Sequence, residues 1–183
     1  MPPLLLVTLV LLLSTLAFWL GRRRAFALTT QPSAGKMHSR PGYYGMLTAL
    51  WCALPALIIV AVWQMVADPL LTQMAMQGVA AAKGNLSPDQ VGLLVNDMRN
   101  LVGGNVLARE VDPLLQAAAD RYIGMHRISN VALALVAVST ALVAAYMAFA
   151  KIRPSLRARN QVERVIEILL SLCSTFAVFV TIG

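Results

Sequence analysis

Charge is scarce in this chain. Fifteen Lys and Arg and eight Asp and Glu make up 13% of its 183 residues, about half the roughly 25% usual in soluble globular domains. The charges are also unevenly placed: residues 1–21, 41–67 and 128–150 carry none on side chains. That pattern excludes a soluble domain, and 58% apolar content excludes a disordered one. Cysteine is nearly absent as well. Cys52 and Cys173 each fall inside an apolar stretch, with no C-x-x-C, so there is no disulfide framework, and a buried free thiol acts as a small hydrophobe. No H-E-x-x-H, G-x-S-x-G or glycine-rich phosphate loop occurs, and each of those would be needed for its own chemistry. The sequence reads as no enzyme, with no catalytic, cofactor-binding or metal-binding residue assigned and substrate-binding residues unknown.

What is abundant is apolar length. A run of about 20 apolar residues matches a hydrocarbon core roughly 30 Å thick at 1.5 Å per helical residue. The fold class expected is all-α, a multispanning membrane protein with three full transmembrane helices and a truncated fourth. The first span runs from Pro3 to Leu20, ended by Gly21 and followed by Arg22, Arg23 and Arg24. A signal peptide has its basic residues before the apolar run and a small-residue cleavage site after it; here the basic cluster follows, so an uncleaved anchor is predicted. The second span covers Met46 to Ala67, with Tyr43 and Tyr44 at one end and Trp63 near the other, where amphipathic rings suit the interfaces. Pro55 is expected to kink it. Ile128 to Ala150 form the third span, whose small residues favour close helix contacts in lipid. A fourth begins near Ile168 and reaches Gly183, and its apolar stretch falls short of a full crossing.

The connecting segments explain a net charge of +7. Residues 22–45 hold five basic residues and no acidic one, 68–127 hold five basic and six acidic, and 151–167 hold five basic and two acidic. Basic short loops alternating with an acidic-leaning long one follow the positive-inside rule. The expected orientation has the N-terminus outside, loops 22–45 and 151–167 cytoplasmic, and 68–127 extracytoplasmic. Topology therefore absorbs the basic excess and removes nucleic acid as a partner. It also puts His38 and His126 on opposite sides, where they cannot share a metal. The first three spans have no ionisable residue at mid-depth, against a self-contained ion-coupled transporter.

Sixty residues between spans two and three are too many for a simple connection, and their punctuation reads as three helices. Asp68-Pro69 looks like an N-cap with proline at the first helical position, and Gly84 like the stop. Ser87 to Gln90 form a capping box. Val91, Leu94, Val95, Met98, Leu101 and Val102 then follow helical spacing, until Gly103-Gly104. Asp112-Pro113 starts the third helix. The tetrapeptide Asp-Pro-Leu-Leu occurs at both 68–71 and 112–115, read as two independent helix starts. The apolar stripe of the middle helix is expected to pack within the insert, with Asp97, Arg99, Arg109 and Glu110 on a solvated face. Arg159 and Glu163 are spaced to pair on the entry to the fourth span.

Two stretches are familiar. Met37-His38-Ser39-Arg40-Pro41-Gly42-Tyr43-Tyr44-Gly45, continuing through Ala49-Leu50-Trp51 and Leu54-Pro55-Ala56-Leu57, resembles the N-terminal extension of the long-form phosphate ABC transporter permease, the C subunit of the Pst system. Arg157 to Glu167, running on to Thr181-Ile182-Gly183, resembles the entry to the first core span of the same permease. The resemblance implies the N-terminal portion of an inner-membrane importer subunit. Its implied partners are a second permease subunit, an ABC ATPase and a periplasmic phosphate-binding protein. The later core, with the coupling loop that engages the ATPase, is absent from these 183 residues, so an interrupted reading frame is expected. A different class also fits the residues: a stand-alone membrane interaction protein whose insert binds a partner outside.

Overall fold

The computed structural model describes residues 3–29, 38–84, 87–104 and 112–182, and every regular element in them is helical. The helices are α1 (Pro3–Thr29), α2 (Pro41–Lys83), α3 (Pro88–Val102), α4 (Pro113–Ala150) and α5 (Ala158–Ile182). Four of them, α1, α2, α4 and α5, are long and apolar enough to cross a membrane. Their helical hydrogen bonds satisfy the backbone internally, as a lipid-spanning segment requires, and their uncharged Leu, Val, Ala and Ile side chains suit hydrocarbon.

The chain divides into two compact units, one of residues 1–3 and 59–135, the other of 4–58 and 136–183. In the first, three helical segments share one core. Ala75, Met76 and Val79 of α2 meet Leu94 and Met98 of α3 and Leu115, Ala118 and Ala119 of α4. The stripe on α3 packs within the insert as its spacing predicts: Val95, Leu101 and Val102 lie against the same core, while Leu93, off the stripe, is exposed. Trp63 Nε1 donates to Ser129 Oγ at 2.9 Å, tying α2 to α4.

Local signals fix the ends of α3. Gln90 N–H donates to Ser87 Oγ at 3.4 Å and Ser87 N–H to Gln90 Oε1 at 3.0 Å, so both halves of the capping box form. Gly103 N–H closes back on the Arg99 carbonyl at 2.9 Å. The α2 stop at Gly84 and the turn at Gly104 both have positive φ, +74° and +73°, a conformation glycine adopts without Cβ strain.

The two Asp-Pro-Leu-Leu copies diverge. Asp112 caps α4, its Oδ1 accepting from Leu114 N–H at 2.9 Å and its carbonyl accepting from Leu115 and Gln116 N–H. Asp68 starts nothing, because α2 runs unbroken from Pro41 to Lys83. Proline at 69 removes one i−4 hydrogen bond, but strong helix formers continue on both sides. The Asp68 carboxylate is drawn into tertiary contacts instead of capping. Likewise α4 is one helix from Pro113 to Ala150, so the insert shares its first and third helices with the neighbouring spans.

In the second unit α1 continues past Gly21 through the three arginines to Thr29. Gly21 is no terminator. It is buried, and a Cβ there would collide with Thr48 Oγ1 on α2. At Gly45 a Cβ would lie 2.7 Å from the Phe18 carbonyl oxygen. These glycines let the two helices touch backbone to backbone, as small residues do in lipid, and Ser14 Oγ adds a hydrogen bond to the Ala49 carbonyl at 3.1 Å. Val10, Ala17, Cys52, Ala56 and Ala141 fill the contact with α4. The fourth spanning helix is also longer than its apolar stretch. It begins at Ala158, so 25 residues reach about 37 Å, the polar stretch of Arg159 to Glu167 being helical too. Arg159 Nε pairs with Glu163 Oε1 at 2.6 Å, as their spacing predicts.

Candidate functional site

The two stretches that carry the family resemblance, far apart in sequence, meet in the second unit. Tyr44, expected at a membrane interface, is fully buried, and its hydroxyl donates to the Leu156 carbonyl at 2.8 Å. His38 N–H donates to the Pro154 carbonyl at 3.3 Å, and Arg159 N–H to Ser39 Oγ at 3.2 Å. Beneath these bonds Ala25, Tyr44, Leu47, Ile152, Ala158 and Val162 make one apolar core. The start of α2 thus holds the start of α5, and sequence spacing gave no sign of the contact.

The same unit gathers basic residues around that junction. Arg23 stacks over Trp19 with its guanidinium carbon 3.7 Å from the ring centroid, Arg24 over Phe149 at 4.5 Å and Arg22 over Phe26 at 5.5 Å. Cation–π contacts at exposed sites are worth about 0.5–1 kcal/mol each. They orient the arginines along the end of α1.

The first unit holds a polar cluster that the sequence reading missed. Asp68 Oδ2 accepts from Arg99 Nη2 at 2.7 Å, and Asp68 Oδ1 accepts from the Tyr122 hydroxyl at 2.6 Å. One carboxylate therefore joins α2, α3 and α4. Arg99 is exposed as expected, yet it is an ion-pair partner and not merely a solvated residue; Arg109 and Glu110, placed beside it by sequence, lie outside the described residues. The Tyr122 phenol is pushed up to about 12, mainly by burial, then by its hydrogen bond to Asp68 and the carboxylate's charge, with Arg99 opposing. Lys83 Nζ and Asp112 Oδ2, 2.6 Å apart, close the other end of this unit. His126 lies near Tyr122, ring centroids 5.7 Å apart, and contacts the Asn130 side chain at 3.0 Å. No helical periodicity links positions 31 and 54 residues apart, and the Asp68-Pro69 pair has the local pattern of an N-cap, which hides its tertiary role.

The arrangement binds three helical segments together through the Asp68 carboxylate. Among the described residues no group of three His, Cys, Asp or Glu side chains is placed to hold a metal. Cys52 is buried and Cys173 exposed, both as free thiols.

Comparison with known proteins gives one result. No curated protein matches the chain, and no solved structure does. A family model described as phosphate ATP-binding cassette transporter matches residues 7–180. That range runs from within α1 to within α5 and covers most of the chain, so the chain belongs to this phosphate ATP-binding cassette transporter family.

Proposed function

We propose that the chain is the N-terminal portion of the membrane-spanning permease subunit of an ATP-driven phosphate importer in a bacterial inner membrane. The family match over residues 7–180 carries this reading. The contact between the start of α2 and the start of α5 supports it, since these are the stretches that resemble the permease. In this reading ATP hydrolysis belongs to a separate subunit and phosphate capture to a periplasmic binding protein. The chain supplies the anchoring spans, 3–20, 46–67 and 128–150, and the entry helix to the core at 168–182. Charge alternation supports a periplasmic N-terminus, cytoplasmic loops at 22–45 and 151–167, and a periplasmic insert at 68–127. The Asp68–Arg99–Tyr122 cluster serves that insert by keeping its three helices in one orientation.

The test is affinity purification of the tagged chain after mild detergent extraction. Recovery with an ABC ATPase and a second permease subunit is expected. Stable recovery with unrelated membrane or periplasmic proteins, and none of these, overturns the reading in favour of a separate interaction protein.

A further inference from the structure

The second unit contains a groove of about 340 Å³ between α2, α4 and α5, lined mostly by apolar side chains together with Gln161, Lys151 and Arg164. Leu47, Trp51, Met147 and Ile168 form its walls, and Lys151 and Arg164 stand at its edge. Trp51, Met147 and Ile168 are each about half exposed, at 51%, 52% and 52%, so the walls open outward and not into a sealed core. Lys151 directly follows the last residue of α4, and Arg164 precedes Ile168 by about one turn on α5. Both cations therefore stand where the apolar stretches end.

We infer that this groove binds one anionic phospholipid, its acyl chain against Trp51, Met147 and Ile168 and its phosphate at Lys151 and Arg164. Charge complementarity favours that occupant: no acidic residue lines the groove, and the nearby Glu163 carboxylate is held by Arg159 at 2.6 Å. A zwitterionic lipid gains less from two cations, because its own positive headgroup opposes them. A free phosphate ion gains nothing from the apolar walls, whereas each acyl methylene removed from water does. A neighbouring groove of about 370 Å³, lined by Leu13, Leu16 and Leu142 among others, has no charged residue, and so has apolar walls without headgroup chemistry. The inference depends on membrane insertion and not on phosphate import, so it can fail while the proposed function stands.

The test is native mass spectrometry of the whole chain in mild detergent, titrated with phosphatidylglycerol or phosphatidylcholine. Phosphatidylglycerol is expected to be retained preferentially and to survive excess inorganic phosphate. A basic residue near an anionic headgroup is worth roughly fivefold in binding, so the double variant K151Q/R164Q is expected to lose about 25-fold. R153Q/R157Q, which removes two cations of the same segment outside the groove, is expected to bind as the parent does. Ala144→Phe, which fills the apolar part, is expected to weaken retention of the lipid. Equal retention of both lipids, full binding by K151Q/R164Q, or displacement by inorganic phosphate would each overturn the proposal, the last by identifying a small-anion site.

Discussion

Replacing Asp68 with Asn should loosen the insert without disturbing its shape. The change keeps the side-chain volume and removes the charge that Arg99 and Tyr122 share. Two interactions are lost or weakened, an ion pair at 2.7 Å and a hydrogen bond at 2.6 Å. The Arg99 and Asp68 side chains are 53% and 51% exposed, so water screens the ion pair and holds its worth to about 0.5 kcal/mol. A hydrogen bond to a charged acceptor contributes about 1.5–3 kcal/mol when shielded, and half exposure of the carboxylate brings it to about 1 kcal/mol. Together the loss is about 1.5 kcal/mol, or roughly tenfold in an opening equilibrium. Hydrogen exchange of the α3 amides in detergent reads this directly, since α3 can open locally while the spans stay folded. About tenfold faster exchange over residues 88–102 is expected in D68N, and a smaller increment when Tyr122 is already Phe, because the two residues share one bond. Exchange in D68N indistinguishable from the parent would show that the Asp68 carboxylate does not hold α3 in place.

Further outcomes follow from the same contacts. The Tyr122 phenol, pushed up to about 12, is neutral in the folded insert across a range where an unfolded tyrosine ionises. Its contribution is therefore complete below about pH 10 and is lost as pH rises through about 12; absorbance titration against a Y122F control should show this, and D68N should bring the transition down. Gly45→Ala should cost about 1–3 kcal/mol by overpacking, seen as a lower thermal midpoint in detergent, whereas Gly42→Ala, whose Cβ meets nothing within 4 Å, should leave it nearly unchanged; equal effects would remove the close α1–α2 approach from the account. Ser87→Ala should cost about 1 kcal/mol through the lost cap, with faster exchange confined to the first turn of α3. Met98→Ala, at a fully buried position, should cost about 2–5 kcal/mol and abolish slow exchange across the insert.

Much of this architecture was legible in the sequence because it is written in local patterns. Apolar runs mark the spanning helices, the Ser87–Gln90 box and Gly103 bound α3, and the Leu94–Met98 stripe identifies its buried face. What was not legible depends on competition between local and distant partners. Asp68 and Asp112 begin the same tetrapeptide, yet Asp112 caps a helix while Asp68 is claimed by Arg99 and Tyr122 in the middle of one. Gly21 has the composition of a helix stop, but its missing side chain serves contact with Thr48. Tyr44 looks like an interfacial anchor, and it is also buried, its hydroxyl donating to the Leu156 carbonyl. In each case the residue type was read correctly, and its partner, supplied by another helix, decided its role.

A role in ATP-driven phosphate import can be measured as phosphate uptake in cells lacking other phosphate importers. Removing the chain should abolish energy-dependent uptake of radiolabelled phosphate at low external concentration, and restoring it in trans should recover uptake. Undiminished uptake in cells without the chain would contradict the account.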